Sequence, residues 1–270
     1  MVGEMINFVA FSRNRPIQLH ALLSSMRNCV DGPHSVTVLH RYDPEYRASL
    51  DELVQEFPEV RFVNETGFRD QVTKITSESG DFIAFLVDDI IFKEKFSVDV
   101  PVSVLNQVGD SLCFSLRLGL HLDYCYPVDR PMKVPDGTVS NGVFFWDWTS
   151  AELDWNYPLS LDGHVFRRDQ MLQMISAIQF KNPNEFEAVL QFIAKQYQFP
   201  RICSSFVRSP LLNVPMNRVQ DEFKNRCLDV TVESLHDLWR AGNVIDLTRL
   251  DGYINHGAHE PIELSYMRRN

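Results

Sequence analysis

The chain has 270 residues, 44% of them hydrophobic and 23% charged, with a formal net charge of −10. That length holds one large domain or two small ones, and the balance is that of an ordinary globular protein, which excludes collagen, coiled coil and wholesale disorder. An acidic surface repels phosphodiester backbones, so a dedicated nucleic-acid partner is not expected, whereas one small anion held in a local basic pocket remains open.

The first 92 residues alternate between strand and helix patterns. INFVAF (6–11) is a continuous apolar run, as expected of a strand covered on both faces. After Pro16, Leu19, Leu22, Leu23 and Met26 fall at helical spacing. SVTVLHRY (35–42) reads as a second strand, and Pro44 opens a helix with the stripe Tyr46, Leu50, Leu53, Val54 and Phe57. VRFVN (60–64) is a third strand, and Phe68, Val72 and Ile75 mark a short helix. DFIAFLVDDIIF (81–92) is a fourth strand with an abrupt acidic end. Such repetition predicts a parallel sheet with right-handed crossovers and a ligand crevice at the carboxyl ends of its strands.

Beyond residue 92 the pattern changes. SLCFSLRLG (111–119) alternates, which predicts a strand with one face less buried. Residues 120–160 are turn-rich, with a hairpin signal at Asn141–Gly142 and three tryptophans, Trp146, Trp148 and Trp155. These three are expected to be core or an apolar floor under a ligand ring. Two helices follow, one carrying Met171, Met174, Ile175 and Ile178, the other Phe186, Val189, Leu190, Ile193 and Tyr197. Residues 200–270 are expected to wrap back over the sheet. No apolar stretch is long enough to span a bilayer and no signal peptide is evident. Cys29, Cys113, Cys125, Cys203 and Cys227 form no CxxC pair. Neither a zinc knuckle nor a disulfide framework is expected, and a reducing cytoplasm is the simplest setting.

The chain lacks GxGxxG and GxxxxGK[ST], so no dinucleotide fingerprint or P-loop is present. Asp88 and Asp89 end an otherwise apolar strand, and their hard oxygens suit Mg²⁺ or Mn²⁺ bridging a carboxylate and substrate phosphates. The loop FSRNRP (11–16) follows strand one at the same edge. It carries Ser12, and Arg13 or Arg15 for phosphate oxygens, and Asn14 for a base. Asp43 ends strand two there, as a ligand for a base imide or ribose hydroxyl or as an N-cap for the Pro44 helix.

Strand one with SRNRP, the strand-two aspartate and VDD ending strand four resemble a GT-A glycosyltransferase, close to family 2, over about residues 1–92. LDGHVFRRDQM (161–171) is similar to that family's acceptor-side element. NPNEFE (182–187) stands where the family has an adjacent Glu-Asp pair, with Glu185 and Glu187 in its place. The resemblance implies one GT-A domain over 1–270. Residues 1–92 would bind the nucleotide-sugar (UDP-, GDP- or TDP-linked). Residues 93–270 would bind a glycan or lipid-linked acceptor and end in a closing segment.

The resemblance also implies roles. Asp89, with Asp88 beside it, would hold Mn²⁺ or Mg²⁺, and NHGAHEPIE (255–263) offers His259 or His256 as a further metal ligand. Glu187 is the first choice of base for an inverting transfer and Asp162 the second. His164 is a contact for a sugar hydroxyl or phosphate, or a satisfied structural histidine. The expected activity is sugar transfer in polysaccharide biosynthesis, in the cytoplasm or at a membrane surface. A noncatalytic sugar- or nucleotide-binding protein on the same fold and a phosphotransferase are the alternatives.

Overall fold

A computed structural model describes residues 5–216 and 230–269, so Cys227 lies outside the described residues. Strands β1 (Ile6–Arg13), β2 (His34–Arg41), β3 (Arg61–Asn64) and β4 (Phe82–Val87) are parallel. Helices α1 (Pro16–Cys29), α2 (Arg47–Glu56) and α3 (Phe68–Glu78) connect them. The spatial order is β4-β1-β2-β3. The chain therefore moves outward from β1 to β3 and then returns to the other side of β1. The crevice beyond the C-terminal ends of β1 and β4 is the switch point at which such sheets bind ligands.

Successive side chains of a strand point to opposite faces, and β1 is apolar on both because helices cover both. Ile6, Phe8 and Ala10 join one core with α1, while Val9 and Phe11 join the other with α3. Pro16 sits at the first turn of α1, where a proline leaves no helical hydrogen bond unmade. Val54 departs from the expected stripe: it is exposed, because α2 turns only Ser49, Leu50 and Leu53 inward.

The second half completes a nine-stranded mixed sheet among the described residues. Its further elements are β5 (Ile90–Phe92), α4 (Asp99–Gln107), β6 (Ser111–Ser115), β7 (Gly137–Ser140), β8 (Val143–Asp147), β9 (His164–Arg167), α5 (Arg168–Ala177), α6 (Pro183–Gln196), β10 (Ile202–Phe206), β11 (Leu211–Asn213) and α7 (Val232–Arg240). The sheet order is β7-β8-β10-β6-β9-β4-β1-β2-β3. Asn141 and Gly142, both at positive φ, turn the β7–β8 hairpin. Helix α7 packs on α1 and adds Leu235 and Trp239 to the core. No helix among the described residues is long and apolar enough to cross a membrane.

Three expectations are corrected. The run 81–92 is two strands. β4 ends at Val87, Asp88 and Asp89 turn the chain, and β5 leaves the main sheet to pair with β11. The run 111–119 is a strand only over Ser111–Ser115, and all five residues are buried. The alternate positions there are small serines and a cysteine that fit under a covering layer, so alternation does not mean exposure. Tyr197, expected on the buried stripe of α6, is exposed at the helix end.

Strand β9 is antiparallel to both its neighbours, β4 and β6. Its first residues therefore lie beside the last residues of β4, at the crevice. Gly163 makes this junction, donating to Phe85 O at 2.8 Å and accepting from Leu116 N–H at 2.9 Å, with φ +80°. A Cβ there would lie 2.5 Å from Leu211 Cδ2. Gly163→Ala should cost about 1–3 kcal/mol of stability through left-handed strain and overpacking. A urea unfolding midpoint equal to the wild type's would contradict this packing.

Candidate active site

Asp88 and Asp89 share one counter-ion. Arg15 NH1 lies 2.9 Å from Asp88 Oδ1 and 2.6 Å from Asp89 Oδ2, and the side chains of all three are largely buried. The sequence left Arg13 and Arg15 as alternatives; the structure brings Arg15 to the pair. Arg13 is exposed and contributes its backbone N–H, 3.4 Å from Asp88 Oδ2. Asn14 sets this up. Its φ of 56° is left-handed, a conformation asparagine tolerates better than most residues. Its amide donates to Asp43 Oδ2 at 2.6 Å and its carbonyl accepts from Asp43 N–H at 2.8 Å. Asp43 thus binds the strand-one loop and makes no side-chain cap to the turn at Pro44. Ser12 Oγ is buried 3.2 Å from the Tyr42 hydroxyl.

Burial pushes the Asp89 carboxyl up to about 7, helped by Asp88 and opposed by Arg15. Its Oδ1 is buried and has no hydrogen-bond partner. The turn therefore holds more negative charge than Arg15 neutralises. No cluster of three His, Cys, Asp or Glu side chains suited to a metal exists among the described residues. A divalent ion here would take hard oxygen from Asp89 and complete its shell with substrate phosphates and water, the usual arrangement for Mg²⁺. The donor chemistry and the orphaned Oδ1 fit such an ion.

The antiparallel β9 delivers Asp162 to the same region. His259 Nε2 lies 2.6 Å from Asp162 Oδ2, and Arg117 NH1 lies 3.5 Å from the same oxygen. Burial would raise Asp162, but His259 and Arg117 outweigh it and hold the carboxyl below its usual range. Glu187, in the second turn of α6, accepts from Ser160 Oγ and from Leu161 N–H, each at 2.9 Å. Burial and the nearby charge of Asp162 push Glu187 up. The two candidate bases are thus driven apart: Asp162 stays ionised and Glu187 is the readier proton acceptor. Glu185 is a helix-start residue, its N–H bonded to the Asn182 cap and its carboxylate to Lys181 N–H.

The C-terminal segment brings His259 to Asp162. It lies along β11, with Asn213 N–H bonded to Ala258 O at 3.1 Å and Glu260 N–H to Asn213 O at 3.0 Å. It is packed rather than loose: buried Glu260 gathers His256 N–H and the Tyr253 hydroxyl, and Asn255 and Ala258 are fully buried. His259 is paired with Asp162, with Arg117 NH1 3.5 Å from its other ring nitrogen. His256 points outward to Asp123, with both side chains mostly exposed.

His164 is away from the crevice surface. It is 1% exposed within the sheet, where Nδ1 donates to Pro158 O at 2.9 Å. Trp146, Trp148 and Trp155 are core residues, with Trp146 and Trp155 ring centroids 4.9 Å apart. Arg117 and Asp154 were missed in the sequence: Arg117, 1% exposed, is bound to Asp154 Oδ1 at 2.8 Å, and both occur in stretches whose local pattern reads as apolar strand or loop. Away from the crevice, Cys113 and Cys203 meet as free thiols with sulfurs 3.4 Å apart.

The raised pKa of Asp89 has a sign for stability. The native carboxyl keeps a proton that the unfolded chain releases near 3.8, so Asp89 costs stability as pH rises from 3.8 to about 7. Asp89→Asn should therefore melt higher than the wild type at about pH 8, with the gain vanishing toward about pH 4. A variant that melts lower at the alkaline end would mean that ionised Asp89 stabilises the fold through Arg15.

No family model matches the chain. In sequence it is 27% identical over 266 residues to the bifunctional glycosyltransferase pgtA of Dictyostelium discoideum, covering 86% of this chain and 34% of that protein. It thus spans about a third of that curated relative's length. In fold it is similar to the crystal structure of S. aureus TarS 1–349 in complex with UDP-GlcNAc, with a TM-score of 0.50 and 14% identity, covering 75% of this chain and 56% of that one. The chain is homologous to a glycosyltransferase and has the GT-A fold.

Proposed function

We propose that the chain is a metal-dependent, inverting glycosyltransferase. It would move a sugar from a UDP-, GDP- or TDP-linked donor to a hydroxyl of a glycan or lipid-linked acceptor. The observation that carries this reading is the pair Glu187 and Asp162, two carboxylates with pKa values driven in opposite directions, beside the Asp88–Asp89 turn. A pair tuned apart in this way is how one site supplies both a proton acceptor and a fixed negative charge. The UDP-GlcNAc complex of the TarS structure makes a UDP-sugar the first donor to test.

In this reading Asn14, Asp43 and Ser12 face the nucleoside, and Arg15 serves the diphosphate. Mg²⁺ or Mn²⁺, bound through Asp89, would neutralise the leaving diphosphate as a Lewis acid. The acceptor oxygen bonds to the anomeric carbon while the bond from that carbon to the diphosphate oxygen breaks. Glu187 takes the proton from the acceptor hydroxyl. Asp162, kept ionised by His259 and Arg117, stabilises the positive charge that grows on the sugar ring. Arg15, paired with both aspartates of the turn, would present its guanidinium to a phosphate oxygen of the donor.

Two variants test the assignment. Asp89→Ala should lose the part of UDP affinity that Mn²⁺ supports, so that its affinity with Mn²⁺ equals that in EDTA. Unchanged Mn²⁺-supported affinity would remove the metal from Asp89. Glu187→Gln should keep donor affinity and lose about a hundredfold in transfer rate, the usual scale for a general base. Near-normal turnover would shift the base to Asp162.

A further inference from the structure

Arg117 lies beneath the crevice, and no motif marks it. The residue is 1% exposed, in the segment that leaves β6. Its NH2 donates to Asp154 Oδ1 at 2.8 Å. Its NH1 is 3.5 Å from Asp162 Oδ2 and 3.5 Å from His259 Nδ1. The guanidinium carbon lies 5.9 Å from the centre of the Tyr157 ring. Tyr157 in turn lies near the Glu187 carboxylate, whose charge acts on its hydroxyl. One planar cation therefore touches the ionised carboxylate directly and reaches the candidate base through a single aromatic side chain. Asp154 holds the far edge of the same fork.

A buried ion pair of this kind is a poor way to gain stability, since desolvation offsets most of the attraction. Its geometry is better explained by what it orients. We infer that Arg117 is a positioning residue for sugar transfer: anchored by Asp154, it sets the placement of Asp162 and, through Tyr157, of Glu187 relative to the acceptor. The inference rests on the glycosyltransferase reading above. The fork matters as well as the charge. A guanidinium presents two nitrogens in one plane, so it can hold Asp154 and Asp162 together, whereas a lysine ammonium is a point charge on a flexible stem.

The test uses the full chain, a UDP-sugar that supports wild-type turnover, and three variants: Arg117→Lys, Arg117→Gln and the double variant Arg117→Gln/Asp154→Asn. Each is measured for UDP affinity, kcat and melting temperature. Small misplacements at a reacting centre cost about a hundredfold. Arg117→Lys should lose kcat on that scale while UDP affinity stays within about twofold, because the nucleotide half is untouched. Arg117→Gln strands two buried carboxylates and should melt lower than the wild type; the double variant removes one of them and should melt higher than the single variant. Its kcat should nevertheless stay as low as that of Arg117→Lys. Recovery of kcat together with melting temperature would show that Arg117 only balances charge, and would overturn the inference. A crystal structure of Arg117→Lys gives a readout independent of turnover: Asp162 should leave its 2.6 Å contact with His259, and an unmoved Asp162 would also overturn it. A wild-type chain that transfers no sugar would refute the glycosyltransferase reading, and the Asp162 displacement would still decide the positioning.

Discussion

Carboxylates cannot be gathered in a partly dry crevice without cations beside them, because the cost of stripping water from each charge must be met by a partner. Asp88, Asp89, Asp154, Asp162 and Glu187 are brought together at the carboxyl ends of the strands, and two arginines make that possible. Arg15 serves the turn after β4, and Arg117 serves the start of β9. Much of the surrounding backbone follows from delivering those two guanidinium groups. The left-handed Asn14 bends the strand-one loop so that Arg15 returns to the acidic turn while Asn14 itself joins the ends of β1 and β2. The left-handed Gly163 lets β9 start beside β4, which places Asp162 within reach of Arg117.

The compensation is deliberately incomplete, and its shortfall is local. Asp162 has both a histidine and an arginine, and stays ionised. Glu187 accepts from a hydroxyl and an amide on one oxygen, and burial with the negative charge of Asp162 outweighs Arg117 and raises it. Asp89 has an arginine it shares, a carboxylate next door and one oxygen with nothing. Three carboxyl groups within one crevice thereby differ in how readily they hold a proton. No special residue type is needed, only different numbers of partners.

The first half of the fold was legible because a parallel strand buried on both faces must be apolar throughout, and each such run was bounded by a helix pattern or a proline. The acidic turn was legible for the same reason, since two charges at the end of FIAFLV have no place in a core. The choice between Arg13 and Arg15 was not legible, because it depends on one residue taking a positive φ between them. Alternation misled at Ser111–Ser115, where small polar side chains sit under cover as easily as in water. Arg117 was hidden in the continuation of that run, as one polar position among leucines. The pairing of Asp162 with His259 joins residues 97 apart in sequence and has no local signature.

That separation has a consequence for how the protein comes into being. The contacts that build the crevice join Arg15 to Asp88 across 73 residues, Arg117 to Asp154 across 37 and Asp162 to His259 across 97. Contacts so distant along the chain are slow to form, because loop closure must come before they reward it. A chain emerging from the ribosome can assemble β1 to β4 and seat Arg15 on its aspartates early. Until residue 259 appears, Asp162 has Arg117 alone, and the crevice lacks the segment that packs along β11. The half of the crevice built on Arg15 can thus mature before the half built on Asp162, and a nascent chain with the first is not yet equipped with the second.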